Sequence, residues 1–121
     1  MTMCDKPFVG DIAIEDKIIV GIGKSLDEFN GEVIDVTDCY VMPGIVDAHS
    51  HMGLQESGTR ETDHNDKFIP ITPEMRAIDA INPQDSAFVK AREAGITTCI
   101  TGPGSINLIG GTFAAIKTAG R

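Results

Sequence analysis

Aromatic residues are scarce in this 121-residue sequence: they make up 5% of it, with one Tyr and no Trp. A hydrophobic core must therefore be built mainly from Ile, Val, Leu and Ala side chains. No apolar run approaches the length of about 18 residues that a membrane-spanning helix requires. Residues 1–10 contain no basic segment followed by an apolar stretch, so we expect no secretory signal peptide.

Positively charged residues are also few relative to negatively charged ones. The sequence contains ten Lys and Arg residues and eighteen Asp and Glu residues, which gives a formal net charge of −8. Nucleic acids and anionic membranes repel such a surface, so we expect neither as a partner. The charge does not specify a substrate, because acidic surfaces most often serve solubility.

The sequence has three cysteines and no C-x-x-C pair. An odd number at wide spacing argues against a disulfide framework, so we expect free thiols and a cytoplasmic location. Cys99 lies within an apolar run, which predicts a buried side chain. The spacing does not support a redox or metal-relay role for the cysteines.

The first third of the chain predicts a small antiparallel sheet. Short β-type runs alternate with turn residues, as in consecutive hairpin strands. The predicted strands are 11–15, 17–23 and 32–36, with turns at Asp16 and at 29–31.

The rest of the chain has the rhythm of a parallel α/β structure. After the turn Met42-Pro43-Gly44, we predict a strand over 45–49 and then a long polar loop. Asn82 as N-cap and Pro83 at the first helical position predict the start of a helix, and Gly95 its end. We also predict a buried strand over 96–101, a Gly-rich loop over 102–111 and a helix over 112–119.

The most informative motif is the H-x-H element at His49 and His51. Side chains two residues apart on a strand point to the same face, so two imidazoles project together and can bind one metal ion. Asp47 has the same parity, and its carboxylate can support one of these ligands. The alternative is a chance histidine pair at a polar strand end, but the preceding Pro-Gly and the βα pattern that follows favour the metal site.

The stretch 41–51 resembles the first barrel strand of the amidohydrolase superfamily, which carries a V-x-P-G-x-x-D-x-H-x-H pattern. Residues 34–36, leading into this strand, resemble part of the β-sandwich that flanks the barrel, and 95–98 are similar to the second barrel strand. The stretches 70–83, 101–105 and 107–111 resemble a bacterial branch close to the imidazolonepropionase-like enzymes. The resemblance covers nearly the whole chain.

This resemblance implies an α/β fold: the first two βα units of a (β/α)8 TIM barrel over 43–121, preceded by half of a small β-sandwich over 1–42. It implies metal ligands at His49 and His51, a divalent metal with zinc first, and a metal-dependent hydrolase of an amide, cyclic amide or amidine C–N bond. The remaining ligands and the catalytic aspartate of the family lie on later strands. We therefore expect an N-terminal fragment without activity of its own, and no catalytic residue is assigned. The alternative is a non-catalytic metal-binding or structural fragment.

The partners implied are a small-molecule substrate in the full-length enzyme, and either self-association or a missing C-terminal portion. The motivation for the second expectation is an unclosed sheet that leaves apolar strand residues uncovered, among them Ile45, Val46, Ile96 and Ile100.

Three smaller features remain open. The polar loop 55–63 is expected either to line a substrate entrance or to be a solvated loop without such a role. Gly102–Ser105 shapes the substrate site, or binds phosphate through backbone amides, although it lacks the P-loop and G-x-G-x-x-G spacings. His64 lies in the polar loop and is expected to be exposed and away from the metal. No substrate-binding residue is identified.

Overall fold

A computed structural model of the chain describes residues 4–26, 30–55 and 64–120. The chain divides into two compact units, Met1–Pro43 and Gly44–Arg121. The described residues form a mixed α/β structure, as the sequence predicts. Its elements are β1 (Asp11–Glu15), β2 (Ile18–Gly23), β3 (Ile45–Ser50), a short 3-10 helix (Ala77–Asp79), α1 (Ser86–Glu93), β4 (Ile96–Thr101) and β5 (Ala114–Lys117). In this described part, no helix is long and apolar enough to cross a membrane.

The first unit is built on an antiparallel hairpin of β1 and β2. Its two-residue turn is formed by Asp16 and Lys17, whose φ angles are 48° and 68°. A positive φ at both central residues is what a type I′ hairpin turn requires, and Asp tolerates it better than most residues. The turn predicted at Asp16 is confirmed, as are both strands.

The third strand predicted in this unit, over 32–36, is wrong. Val33 and Ile34 are 83% and 76% exposed, and no ladder forms there. The chain turns instead, because the Asp35 carboxylate accepts hydrogen bonds from the backbone N–H and the hydroxyl of Thr37. A β-type segment without a neighbouring strand has no partner for its backbone groups, and such local side-chain bonds then prevail.

The second unit contains a three-stranded sheet in the order β3-β4-β5. β3 pairs with β4 in parallel, with Ile45 opposite Ile96. The β-branched run of β4 forms the strand predicted for it and supplies the most buried side chains, Cys99 and Thr101, each 0% exposed. The predicted burial of Cys99 is confirmed, and the parallel pairing aligns the C-terminal ends of β3 and β4.

The helix predicted over 112–119 is wrong. Residues 114–117 form β5, which pairs antiparallel with the free edge of β4, placing Ile116 opposite Cys99. Alanine favours a helix in isolation, but only by a fraction of a kcal/mol per residue. Backbone pairing with an open strand edge outweighs so small a preference.

The predicted helix exists but starts later than expected. Asp85, not Asn82, is the N-cap of α1, and its carboxylate accepts a hydrogen bond from the backbone N–H of Ala87. Asn82 instead closes a preceding turn, since its side-chain oxygen accepts from the N–H of Gln84. Gly95 follows the helix with a φ of +82°, which confirms the predicted C-terminal glycine.

Candidate metal site at the end of the first parallel strand

The two histidines of the H-x-H element lie together at the C-terminal end of β3. The centroids of the His49 and His51 rings are 5.2 Å apart, and their planes meet at 82°. Two imidazoles that share a tetrahedral zinc, each nitrogen about 2.0–2.1 Å from the ion, have centroids roughly 5 Å apart. The spacing of the pair and its nitrogen donors therefore fit one divalent metal ion.

His51 is anchored by the loop that follows β4. Its Nδ1 lies 2.6 Å from the carbonyl oxygen of Gly102. A carbonyl oxygen only accepts hydrogen bonds, so Nδ1 carries the proton and the Nε2 lone pair is left for a ligand. A hydrogen bond from the second ring nitrogen to a backbone carbonyl is the usual support of a metal-binding histidine.

Asp47 acts on the backbone of this strand. Its Oδ1 accepts a hydrogen bond of 3.2 Å from the backbone N–H of His49. The carboxylate thus supports His49 through the main chain of that residue.

His64 lies beside the pair, contrary to the prediction that it is exposed. Its ring is half-buried and stacks on His51, with centroids 5.1 Å apart and planes 28° from parallel. Among the described residues its buried Nδ1 has no hydrogen-bond partner. Burial and the nearby His51 lower the pKa of His64 below its ordinary value, which favours a neutral ring.

An aromatic ring lies against His49. The Phe113 ring lies 5.2 Å from the His49 ring, centroid to centroid, at an interplanar angle of 40°. This contact is not predicted from the sequence, because residue 113 was expected inside a helix. A polar strand end followed by a Gly-Gly-Thr-Phe stretch could have suggested a loop returning to the site.

The segment 64–76 and the β4–β5 loop (102–113) are joined to each other next to the site. Backbone pairing joins Ile71 to Ile109 and Arg76 to Thr112. The Asn107 amide links the two pieces, since its Nδ2 donates to the carbonyl oxygens of Asp66 and Ile69 at 2.8 Å each. In return, its Oδ1 accepts from the backbone N–H of Asp66. Asn107 is a structural residue that sequence reasoning missed.

The backbone amides of the Gly102–Ser105 stretch are used within the protein. The N–H of Gly102 donates to Ser50 O at 3.1 Å, and that of Gly104 donates to His64 O at 2.6 Å. These two amides are therefore engaged in the fold, which disfavours the phosphate-binding alternative for this loop. The predicted entrance loop lies outside the described residues except for Gln55.

No group of three or more His, Cys, Asp or Glu side chains that could hold a metal is found among residues 4–26, 30–55 and 64–120. His49 and His51 form a pair. His64 stacks on the His51 ring and does not join the pair as a third metal-holding side chain among these described residues.

Comparison with known proteins shows clear relatives, although no family model matches the chain. The chain is 46% identical over 52 residues to a D-hydantoinase of Geobacillus stearothermophilus, covering 43% of this chain and 11% of that protein. It is 48% identical over 60 residues to a dihydroorotase of Ruminiclostridium cellulolyticum, covering 43% of this chain and 14% of that one. The crystal structure of an amidohydrolase from Thermotoga maritima matches 98% of this chain and 31% of its own, with a TM-score of 0.91 and 36% identity.

These similarities support a relationship between this chain and the amidohydrolase superfamily. The relatives are amidohydrolase-type enzymes, and the structural match extends over nearly all of the chain. The chain spans about a seventh or less of the two curated relatives and about a third of the solved amidohydrolase chain.

Proposed function

We propose that this chain is the N-terminal part of a metal-dependent amidohydrolase that cleaves a C–N bond of a small molecule. The observation that carries the proposal is the His49–His51 pair at the end of a parallel strand, with Nδ1 of His51 committed to Gly102. The proposal includes the finer fold assignment: residues 43–121 as the first part of a (β/α)8 barrel and residues 1–42 as part of its flanking sandwich. In such barrels, active sites lie at the C-terminal ends of the strands, where this pair lies.

His49 and His51 would hold the metal, with zinc the first candidate. A bound divalent ion lowers the pKa of a coordinated water and so supplies a nucleophile at neutral pH. The residues of this chain orient the site: Gly102 fixes the His51 tautomer, and Asp47 holds the backbone of His49. No general base is assigned within this sequence.

The substrate class proposed is a cyclic amide, ahead of open amides and amidines. Hydantoins and dihydroorotate, which appear in the names of the two relatives above, are both cyclic amides. The imidazolonepropionase-like branch remains a prediction from the sequence. A cytoplasmic location is part of the proposal and rests on the free cysteines Cys4, Cys39 and Cys99.

The second candidate is a non-catalytic metal-binding or structural fragment. A catalytic zinc normally has three protein ligands and an open position for water, whereas this sequence offers two histidines that match ligand positions. Under this candidate the chain alone is inactive. Catalysis would need further metal ligands from a C-terminal portion. The half-exposed Ile45 and Val46 of β3, 46% and 60% exposed, offer an apolar surface for that portion.

The test compares the 121-residue chain with any longer product of its coding sequence. Each is loaded with zinc and incubated with hydantoin, dihydrouracil and dihydroorotate, and ring opening is followed by NMR. We expect the longer protein to open at least one ring and to lose that activity in His51→Ala, while the exposed helical variant Lys90→Ala retains it. Equal activity in His51→Ala, or none in any zinc-loaded longer protein, would contradict the enzymatic proposal.

A further inference from the structure

Four aromatic rings form a series of neighbouring contacts at the end of β3. Phe113 contacts His49, His49 contacts His51, and His51 contacts His64, with successive centroids 5.2, 5.2 and 5.1 Å apart. We propose that the outer two rings, Phe113 and His64, are positioning residues that hold the inner two imidazoles in their metal-binding orientation. This inference rests on the proposed function, since it takes His49 and His51 as the metal ligands.

An imidazole needs such support because its χ2 torsion is broad and roughly two-fold. A hydrogen bond from Nδ1 to the Gly102 carbonyl fixes one edge of the His51 ring. That bond does not pack against the face of the ring. The His64 ring, 28° from parallel to the His51 ring, packs against this face and limits its tilt. Two different contacts thus fix one ligand.

The His49 ring receives its support from a hydrocarbon ring. Phe113 has no donor or acceptor, so its part at 5.2 Å from His49 is packing. Offset and tilted ring pairs at such distances are favourable beyond the area that they bury. Phe113 is 41% exposed, so one part of its ring lies against the site while another faces outwards.

Two glycines of the loop after β4 make room for the outer rings. A Cβ on Gly102 would collide with the Phe113 ring, and a Cβ on Gly104 would collide with the side chains of His64 and Asn65. The backbone N–H of Gly104 also donates to the carbonyl oxygen of His64 at 2.6 Å. The loop from Gly102 to Gly104 therefore leaves space for both outer rings. It also carries the Gly102 carbonyl that accepts the hydrogen bond from His51.

The ring of His64 is placed to pack rather than to bind the metal as a third ligand. His49, His51 and His64 do not form a group that could hold a metal within the described part of the chain, whereas the rings of His64 and His51 stack. If His64 acts by packing, another flat ring at position 64 preserves metal binding. If His64 binds the metal, only a ring that carries a nitrogen preserves it.

The experiment uses the 121-residue chain and Co²⁺ or Zn²⁺ alone, with affinity measured by competition against a chelator. Each outer ring is replaced by a ring of another kind and by a non-aromatic side chain of comparable volume. The ring-keeping variants are His64→Phe and Phe113→Tyr, and the ring-removing variants are His64→Leu and Phe113→Leu. The double variant His49→Ala with His51→Ala is the reference without the ligand pair, and circular dichroism with a urea midpoint confirms folding.

Because supporting partners of metal ligands typically contribute 10–100-fold in affinity, we expect each ring-removing variant to bind about tenfold more weakly and each ring-keeping variant to stay within about threefold of the parent. The visible spectrum of bound Co²⁺ should change in the ring-removing variants, since the ligand geometry changes. Unaltered affinity and spectrum in both Leu variants would overturn the inference. A loss in His64→Phe as large as in His64→Leu would also overturn it, because His64 would then be a ligand.

The reference variant separates this inference from the proposed function. If the parent and the double variant bind metal equally, His49 and His51 are not ligands, and the proposed function fails together with the inference. If the parent binds through the pair but the Leu variants bind as tightly as the parent, the inference alone fails.

Discussion

The Nδ1 atom of His51 and the carbonyl oxygen of Gly102 are joined by a 2.6 Å hydrogen bond between the ends of two parallel strands. His51 follows β3, and Gly102 follows β4. The bond sets the histidine tautomer and ties the strand end to the loop that carries Gly102 and Gly104. The ring nitrogen that we propose as a metal ligand is thus oriented by the backbone at Gly102.

Replacing this glycine should destabilise the protein. In Gly102→Ala the new Cβ meets the ring of Phe113, and the ring or the loop must shift. Overpacking of this kind typically costs about 1–3 kcal/mol, which urea unfolding can measure. Gly23→Ala is the control, because its nearest contacts would be at an ordinary 3.6 Å. Equal free energies of unfolding for the two variants would contradict the close packing of the Phe113 ring against Gly102.

Asn107 should control the local stability of the segment 64–76. Asn107→Ala removes the donors to the Asp66 and Ile69 carbonyl oxygens and the acceptor for the Asp66 N–H. Lost hydrogen bonds of this type contribute about 0.5–1.5 kcal/mol each. We expect faster amide hydrogen exchange at Thr72 and Leu108, whose N–H groups pair the two segments.

The control for this change is Ser105→Ala, an exposed position in the same loop. We expect exchange at Thr72 and Leu108 to stay near the parent rate there. If Asn107→Ala exchanges no faster than Ser105→Ala, the amide does not link the two segments.

Asp85 joins α1 to the turn after His51. One carboxylate oxygen caps the helix at Ala87, and the other accepts from the backbone N–H of Gly53 at 3.2 Å. Loss of an N-cap costs about 0.5–2 kcal/mol, and a buried N–H left unpaired adds to this cost. Asp85→Ala should therefore lower the free energy of unfolding by more than Asp85→Asn, which keeps one acceptor oxygen. The reverse order in chemical denaturation would show that the carboxylate does not hold both elements.

The sequence predicted those elements whose signals are local. The hairpin of β1 and β2, the strands β3 and β4 and the glycine after α1 follow from periodicity and turn chemistry, and the structure has them. The H-x-H pair also follows from strand parity, since residues 49 and 51 face the same way on any strand.

The remaining features depend on contacts distant in sequence. Residues 114–117 form a strand only because β4 offers an open edge, and no local signal reports that edge. His64 comes to His51 through the pairing of its segment with the β4–β5 loop. Asn82 and Asp85 are both good caps on local grounds, and the Asp85 carboxylate also accepts a hydrogen bond from the backbone N–H of the distant Gly53.

The three thiols should differ sharply in reactivity. Cys4 and Cys39 are exposed, whereas Cys99 is buried in β4. Burial raises the pKa of the Cys99 thiol, so a smaller fraction is thiolate at any given pH than for an exposed cysteine. Iodoacetamide labelling at pH 8 should modify the exposed Cys4 and Cys39 in the folded protein and leave Cys99 unmodified until urea is added.

The protein with Cys4→Ser and Cys39→Ser isolates the third thiol and is the control for this labelling. Rapid modification of Cys99 in the folded double variant at pH 8 would contradict its burial against β5.

The central claim is that His49 and His51 bind one metal ion, and the most direct test is ¹⁵N NMR of the histidine rings during a Zn²⁺ titration. We predict that ring nitrogens of both residues shift together and saturate at one equivalent, while Nδ1 of His51 stays protonated because Gly102 accepts its hydrogen bond. Resonances of both rings that stay unchanged through saturation, or a shift confined to His64, would contradict the account.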